Sequence, residues 1–145
     1  CRIEKAYRHF GHDITDEDHV LEAGLGFAVK TGKGDFLGRE AVLRKREAGL
    51  TRRLMQFRLT DPEPLLYHNE PILRDGQIVG QLSSGNYGHV LGGAIGLGYV
   101  PCRSPGEAPE EMLASTYRIE VAGQSFAAEA SLAPMYDPTS SRIRA

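Results

Sequence analysis

Pro71-Ile-Leu-Arg-Asp75-Gly76-Gln-Ile-Val-Gly80 is the stretch that decides the fold of this chain. An Asp-Gly pair stands between two short apolar runs, and this dipeptide favours the two-residue type I′ turn of a β-hairpin. The sequence therefore predicts two antiparallel strands that meet at Asp75 and Gly76.

The segments on either side of this hairpin also alternate with the period of a strand. Apolar residues recur at every second position in 54–59, 117–121 and 126–130, and Gly123 separates the last two as a second hairpin turn. Glycines interrupt the apolar run 90–100, which is typical of a tightly packed or bulged strand. Several short strands joined by regular turns predict a small antiparallel barrel or sandwich.

The N-terminal third has a helical pattern instead. Ile3, Ala6, Tyr7 and Phe10 recur at the spacing of one helix face, which predicts a helix over residues 2–10. The apolar stretch 21–30 contains two glycines and is interpreted as an extended, buried segment.

A second helix is predicted over residues 36–48, with Asp35 as its N-cap and Gly49 as its stop. Its inward residues are expected to be Leu37, Ala41 and Leu43. The fold class is therefore α+β, with a short helical and extended N-terminal segment followed by a small antiparallel β-barrel or sandwich, and the family resemblance described below implies the barrel.

The composition excludes several classes of protein. A length of 145 residues fits about one domain, or one domain with an extension, and 41% hydrophobic with 25% charged residues is ordinary globular usage. With 17 basic and 19 acidic residues, the chain lacks the basic field of a general nucleic-acid binder. No apolar run approaches the ~20 residues that span a bilayer, so no membrane partner is expected. Two cysteines cannot form a disulfide framework or a zinc ribbon.

Local motifs for metal or phosphate chemistry are weak. The cluster of Cys1, His9, His12 and His19 is best interpreted as solvated side chains near a loop. The acidic stretch 13–18 lacks the central glycine and terminal glutamate of a calcium loop. The glycine-rich stretches do not match the phosphate-loop patterns. No metal site is predicted.

Ser83-Ser84-Gly85 stands near His89 and invites comparison with a nucleophile and its base. No positioned acid accompanies the pair, so a strand end and turn is the favoured interpretation.

Glu4 and Glu22 each lie beside apolar residues. A carboxylate in such surroundings can accept two parallel N–H bonds from a planar, guanidine-like edge, and an apolar pocket strengthens this pairing. The residues alone leave the alternative of ordinary surface glutamates open and favoured.

Several motifs together resemble the folate-dependent aminomethyltransferases, the glycine-cleavage T-protein family. The SGxYGHxLG motif is most similar to the T-protein-like portion of sarcosine and dimethylglycine dehydrogenases. The resemblance follows the family's order over nearly the whole chain and rests on Arg2-Ile-Glu4-Lys-Ala-Tyr7 with Gly11-His-Asp13, Leu21-Glu-Ala-Gly-Leu-Gly-Phe-Ala-Val-Lys30, Asp35-Phe-Leu-Gly-Arg-Glu-Ala41, Glu70-Pro-Ile-Leu-Arg-Asp-Gly76, Ser84-Gly-Asn-Tyr-Gly-His-Val-Leu-Gly92 and Ala94-Ile-Gly-Leu-Gly-Tyr-Val100.

The resemblance implies a tetrahydrofolate site and the family's C-terminal barrel. Glu4 matches the glutamate that binds the pterin edge in the family, and Tyr7 or Phe27 could stack on a ring. Basic residues hold the folate's glutamate tail in the family. The candidates here are Lys30, Arg53 and Arg142, while Glu22 belongs to a motif without a defined role.

The resemblance also implies a division of the chain. Residues 1–50 would be the tail of the folate-binding domain, ending in a helix, and 51–145 the barrel domain. In the family the catalytic aspartate precedes the motif at Glu4, and the flavin-binding portion of the dehydrogenases lies further upstream. We therefore expect no catalytic residue and no FAD site in this chain, and an isolated chain without activity. The family's Thr-Pro before the 21–30 segment is replaced here by Asp18-His19-Val20, so the loop contacts can differ.

The parent enzyme implied by the resemblance transfers a one-carbon unit to tetrahydrofolate in the bacterial cytoplasm or the mitochondrial matrix. Folate and the upstream domains are the expected partners, and self-association through an uncovered apolar face is the other outcome. The alternatives are a non-catalytic folate-binding or regulatory module and a purely structural barrel that packs on a partner.

Overall fold

The fold is given by a computed structural model that describes residues 1–142 and 144. Two short 3₁₀ turns, Ile3–Lys5 and Gly26–Ala28, precede helix α1 (Arg39–Ala48). The remaining elements are the strands and one further helix, in chain order β1 (Arg52–Leu59), β2 (Pro71–Arg74), β3 (Gln77–Gly88), β4 (Gly93–Pro101), α2 (Pro109–Ala114), β5 (Tyr117–Val121) and β6 (Gln124–Ser131).

The six strands form a closed antiparallel barrel in the order β1-β4-β3-β2-β5-β6, and β6 pairs back onto β1. The closing pairs run from Gln56 opposite Ser131 to Leu59 opposite Ala128. This architecture confirms the predicted barrel and removes the open sheet edges that a sandwich would leave. The division into domains at residues 50 and 51 stays a prediction.

Both predicted hairpin turns are confirmed. Asp75 and Gly76 have φ values of 51° and 83°, and Ala122 and Gly123 have 49° and 78°. Positive φ at both central residues defines a type I′ turn, whose twist matches that of the flanking strands. The two turns therefore set the register of the strand ends beside them, and in the first hairpin the register shifts again between Ile72 and Leu73.

The barrel interior is filled by large apolar side chains. Gly96 and Gly98 of β4 leave the room for them, since a Cβ there would lie 2.5 Å from Leu82 Cδ1 and 2.6 Å from Ile72 Cδ1 respectively. Complete burial of each large apolar side chain contributes about 1.5–3 kcal/mol. The interior cluster consists of Met55, Phe57, Leu59, Leu66, Ile72, Leu82, Ala94, Val100, Met112, Tyr117 and Ile119.

A second apolar cluster covers the outer face of β1 and β4. Ile3 and Ala6 of the N-terminal segment pack there against Leu54, Ile95 and Leu97. Strand β4 is consequently buried on both faces, which explains why its apolar run is nearly continuous. The N-terminal segment is thereby fixed to the barrel wall.

The predicted helix over residues 2–10 is wrong. The helical turn ends after Lys5, because Ala6 adopts a left-handed conformation with φ 51°. Ile3 and Ala6 are buried, but Tyr7 and Phe10 turn to the surface, 50% and 70% exposed. The helical spacing of these four residues therefore does not describe one packed face.

The predictions for residues 21–30 and for the start of the second helix are also wrong. Residues 21–30 form turns and the short Gly26–Ala28 turn, not an extended segment. Helix α1 begins only after Gly38, because the left-handed conformation of this glycine, with φ 87°, is incompatible with a helix. The Asp35 side chain therefore does not cap α1.

The face of α1 was also mispredicted. Val42 is its buried residue, Ala41 is exposed, Leu43 is half-buried, and Leu37 precedes the helix and is fully exposed. Gly49 ends the helix as predicted, with φ 84°.

Candidate functional site

A cleft of about 480 Å³ lies between the N-terminal segment and the tail that follows β6. Tyr7 and Phe27 contribute two aromatic side chains to its lining, and Lys5, Arg8 and Arg144 contribute three cations among the described residues. The opposite wall comes from residues between 132 and 140. Aromatic faces with a few placed polar groups are typical of small-molecule sites.

Gln56 of β1 holds both walls of this cleft to the barrel. Its buried amide nitrogen donates to the carbonyl oxygens of Ile3 at 2.6 Å and Glu4 at 3.3 Å. Its amide oxygen accepts from the Met135 backbone N–H at 2.8 Å. One side chain thus satisfies backbone groups of two segments that are distant in sequence.

Lys5 ties the N-terminal turn to the tail directly. Its Nζ donates to the Asp137 carbonyl oxygen at 2.7 Å, to Asp137 Oδ2 at 3.0 Å and to Ser140 Oγ at 3.3 Å. Burial raises the pKa of Asp137, but the bonds from Lys5 and Ser141 outweigh it and leave the pKa below its usual value. The charge of Lys5 is therefore neutralised inside the protein.

Glu4 lies beneath the surface with an exposed fraction of 1%. Its Oε1 accepts from the backbone N–H groups of Val90 at 2.8 Å and Leu91 at 3.3 Å, and Oε2 lies 3.1 Å from the Cys1 amino nitrogen. Burial raises the pKa of Glu4, but these donors together lower it below the ordinary value. The side chain is thus a fixed, buried carboxylate.

Glu22 is the centre of a second polar network, next to α1. Its Oε1 lies 2.7 Å from Lys45 Nζ and accepts from Thr51 Oγ1 at 2.8 Å, and its Oε2 accepts from Arg52 Nε at 3.1 Å. Burial raises the pKa of Glu22, yet the hydrogen bonds from Lys45, Thr51 and Arg52 lower it to about 2. Arg52 also reaches Asp18 at 2.7 Å. This network joins α1 to β1.

The other sequence-predicted residues are dispersed. Lys30 lines a separate depression of about 510 Å³ together with Lys33 and Phe36. Arg53 of β1 donates to the Glu107 carbonyl oxygen at 3.4 Å, and Arg142 lies over the Tyr136 ring at 5.7 Å. The structure therefore brings together Tyr7 and Phe27 in one cleft, and places Glu4, Glu22, Lys30, Arg53 and Arg142 outside its lining.

Asp13 is a buried carboxylate to which the sequence interpretation gave no role. It accepts from Ser84 Oγ at 2.7 Å, from Ser83 Oγ, from the His9 backbone N–H at 2.8 Å and from Arg2 at 3.0 Å. These bonds fasten the N-terminal segment to β3. Ser83 and Ser84 therefore serve as anchors, and the position of Asp13 inside a recognised motif was the signal that could have identified the network.

His9 and His12 stack with ring centroids 4.5 Å apart. Within the part of the chain that the structure describes, no group of three or more histidine, cysteine, aspartate or glutamate side chains is placed to hold a metal ion. Among the same residues, no helix has the length and apolarity needed to cross a membrane.

The sequence identifies the family. The sequence model of the glycine cleavage T-protein C-terminal barrel domain matches residues 52–137. The chain belongs to this family. Among solved structures, the aminomethyltransferase T of the glycine cleavage system from Bartonella henselae matches with a TM-score of 0.77 over 94% of this chain and 37% of that one, at 22% identity. This match supports the fold.

Two curated relatives cover nearly the whole chain. Human mitochondrial sarcosine dehydrogenase is 38% identical over 98% of this chain and 16% of its own length. The mitochondrial pyruvate dehydrogenase phosphatase regulatory subunit of Mus musculus is 34% identical over 92% of this chain and 16% of its own length. The chain thus spans about a sixth of the length of these relatives.

Proposed function

We propose that this chain supplies part of the tetrahydrofolate site of a one-carbon transfer enzyme of the sarcosine or dimethylglycine dehydrogenase type. The observation that carries the proposal is the cleft in which Tyr7 and Phe27 stand beside Lys5 and Arg8. Folate combines flat aromatic rings with carboxylates, so an aromatic cleft with cations suits it. Membership of the family and the sarcosine dehydrogenase relative support the same substrate class.

The residues of the cleft fit tetrahydrofolate in part. Tyr7 and Phe27 are 50% and 81% exposed, so their ring faces are accessible to a flat ligand. Tetrahydrofolate supplies the amine that accepts the one-carbon unit, and this chain binds and orients it. Lys30 and Arg142 are the proposed contacts for the glutamate tail, although both lie outside the lining of this cleft.

Glu4 is the proposed partner of the pterin edge. Its Oε1 is occupied by the Val90 and Leu91 N–H groups, whereas Oε2 has the Cys1 amino group as its partner. A pterin N–H donor would therefore have to take the place of the Cys1 amino group at Oε2. A depressed pKa keeps this carboxylate ionised at neutral pH, as a bond from a pterin donor requires. Glu22 and Arg53 already have partners within the chain, and we assign both a supporting role.

Exposed apolar side chains of the N-terminal segment point to a covering partner. Phe10, Phe27 and Leu37 are 70%, 81% and 103% exposed. All three precede the barrel, on the segment that the family places against upstream domains. We propose that these domains, which would also hold the FAD of a dehydrogenase-type parent, cover this surface in the bacterial cytoplasm or the mitochondrial matrix.

The proposal that upstream domains cover this apolar surface can be tested directly. Sedimentation of the 145-residue chain should reveal self-association that Leu37→Ser and Phe10→Ser reduce, because uncovered apolar surface favours contact between copies. A monomer without dye-accessible apolar surface would contradict the proposal.

Calorimetric titration with 5-formyl-tetrahydrofolate tests the folate site. Binding should weaken at least tenfold in Tyr7→Ala and Glu4→Gln. The matched control is Glu47→Gln, which removes an exposed carboxylate from α1. Equal affinity in all variants would refute the site.

The second candidate function is a non-catalytic regulatory module, which the regulatory-subunit relative favours. An upstream segment with the catalytic aspartate in the parent would favour the enzyme. Folate binding without any transfer by the complete parent protein would favour the module.

A further inference from the structure

The Arg8 guanidinium lies in the lining of the cleft with a charge that no carboxylate neutralises directly. Within residues 1–142 and 144, no aspartate or glutamate oxygen lies within 4.0 Å of it, although Arg2, Lys5 and Arg52 each have such a partner. Burial lowers the pKa of Arg8, and an arginine nevertheless stays protonated at neutral pH. A half-buried, unneutralised cation is a costly arrangement in the absence of a ligand.

Backbone carbonyl groups hold this guanidinium in place. Nε donates to Ala23 O at 3.0 Å, Nη1 to Ala6 O at 2.9 Å, and Nη2 to Gly24 O at 3.3 Å. A guanidinium carries more N–H donors than these bonds use. Its orientation is therefore fixed while further donors remain for a ligand.

Gly24 makes room for the Arg8 side chain. It has φ +68°, and a Cβ at this position would lie 2.6 Å from Arg8 Nη2. Both the conformation and the space thus require glycine, and the guanidinium occupies the vacant volume.

The buried charges beside Arg8, on Lys5 and Asp13, are already satisfied. Lys5 is engaged by Asp137 and Ser140. The carboxylate of Asp13 attracts Arg8 from a distance, but its oxygens accept bonds from Arg2 and the two serines of β3. Arg144, the third cation of the lining, is exposed to solvent, so Arg8 is the half-buried cation of the cleft with donors left for an external anion.

We infer that Arg8 is the anion-binding residue of this cleft and selects an aromatic ligand that carries a carboxylate. The ring packs on Tyr7 and Phe27, and the carboxylate takes the free N–H donors of Arg8. The p-aminobenzoylglutamate portion of a folate has this chemistry, and so do free aromatic acids. The assignment to folate rests on the proposed function, whereas the recognition of an aromatic carboxylate does not.

Calorimetry with p-aminobenzoylglutamate and with its uncharged diamide tests this inference on the 145-residue chain. The acid should bind at least tenfold more tightly than the diamide. Arg8→Gln should abolish this preference, and Arg8→Lys should restore part of it. The matched control Arg44→Gln removes the same charge from an exposed position on α1, 74% exposed, and should leave the preference intact.

Salt provides a test that does not depend on any variant. Raising the ionic strength should weaken binding of the acid to the unmodified chain and leave binding of the diamide nearly unchanged. An acid that binds no better than the diamide, or a preference that survives Arg8→Gln in a folded variant, would overturn the inference.

Benzoate and 5-formyl-tetrahydrofolate separate the two sources of the ligand. Arg8-dependent binding of benzoate with no binding of the folate would sustain the inference and refute the proposed function. Folate binding that is unchanged by Arg8→Gln would support the proposed function and refute the inference about Arg8.

Discussion

Replacing Glu22 with glutamine removes one buried charge and keeps the shape of the side chain. The glutamine oxygen can still accept from Thr51, so the packing between α1 and β1 is preserved. Lys45 loses its carboxylate partner, and Arg52 keeps only Asp18. The variant therefore isolates the electrostatic contribution of this network.

The magnitude follows from the pKa of Glu22. A carboxyl whose pKa falls from 4.5 to about 2 on folding stabilises the folded state by about 3 kcal/mol at pH 7, since a tenfold change corresponds to about 1.4 kcal/mol. The lowered pKa means that this stability is present above pH 4.5 and is lost as the pH falls towards 2. At pH 3 the contribution should have shrunk to about 1.4 kcal/mol.

Urea unfolding followed by far-ultraviolet circular dichroism measures this difference. Glu22→Gln should lose about 3 kcal/mol of unfolding free energy at pH 7 and less than half of that at pH 3. Glu47→Gln, an exposed change on α1, should stay within about 0.5 kcal/mol at both pH values. A deficit in Glu22→Gln that is equally large at pH 7 and pH 3, or one as small as that of the control, would refute the electrostatic reasoning.

Three other substitutions test the packing. Gln56→Leu leaves buried backbone groups of the N-terminal turn and the tail without partners; it should cost about 3 kcal/mol and make both segments sensitive to limited proteolysis. Gly85→Ala puts a Cβ 2.5 Å from the backbone of the loop that crosses β3, and should lower the melting temperature, whereas Gly32→Ala, with nothing within 4 Å, should not. Arg74→Met strands the buried carboxylate of Glu107 and should cost about 3–5 kcal/mol in urea unfolding; the double change Arg74→Met with Glu107→Leu should recover most of it.

The barrel was largely predictable because its decisive signals are local. Asp75-Gly76 and Ala122-Gly123 can adopt the positive φ values that a type I′ turn requires, and alternating apolar residues flank both. The closure of β6 onto β1 is not a local signal, because it pairs Gln56 with Ser131. The periodicity alone therefore left a barrel and a sandwich equally open.

The N-terminal segment was mispredicted because long-range contacts override its helical spacing. The amide of Gln56 binds the carbonyl oxygens of Ile3 and Glu4, and the carboxylate of Glu4 binds the Val90 N–H. Ala6 then leaves the helical region. No pattern within residues 2–10 could have indicated partners so far along the chain.

The candidate site was predictable only in its aromatic part. Tyr7 and Phe27 followed from the motifs, but the role of Arg8 depends on three carbonyl groups whose positions only the folded chain defines. The partners of Glu22 were equally hidden, since Lys45 and Arg52 come from other elements.

The walls of the cleft have a consequence for the order of folding. Both hairpins close turns of two residues and can form early, whereas the cleft joins Lys5 to Asp137 across nearly the whole chain. During synthesis the contacts between the N-terminal segment and the tail therefore form only after Asp137 has been added to the chain. The proposed ligand-binding cleft is thus the last part of the molecule to be completed.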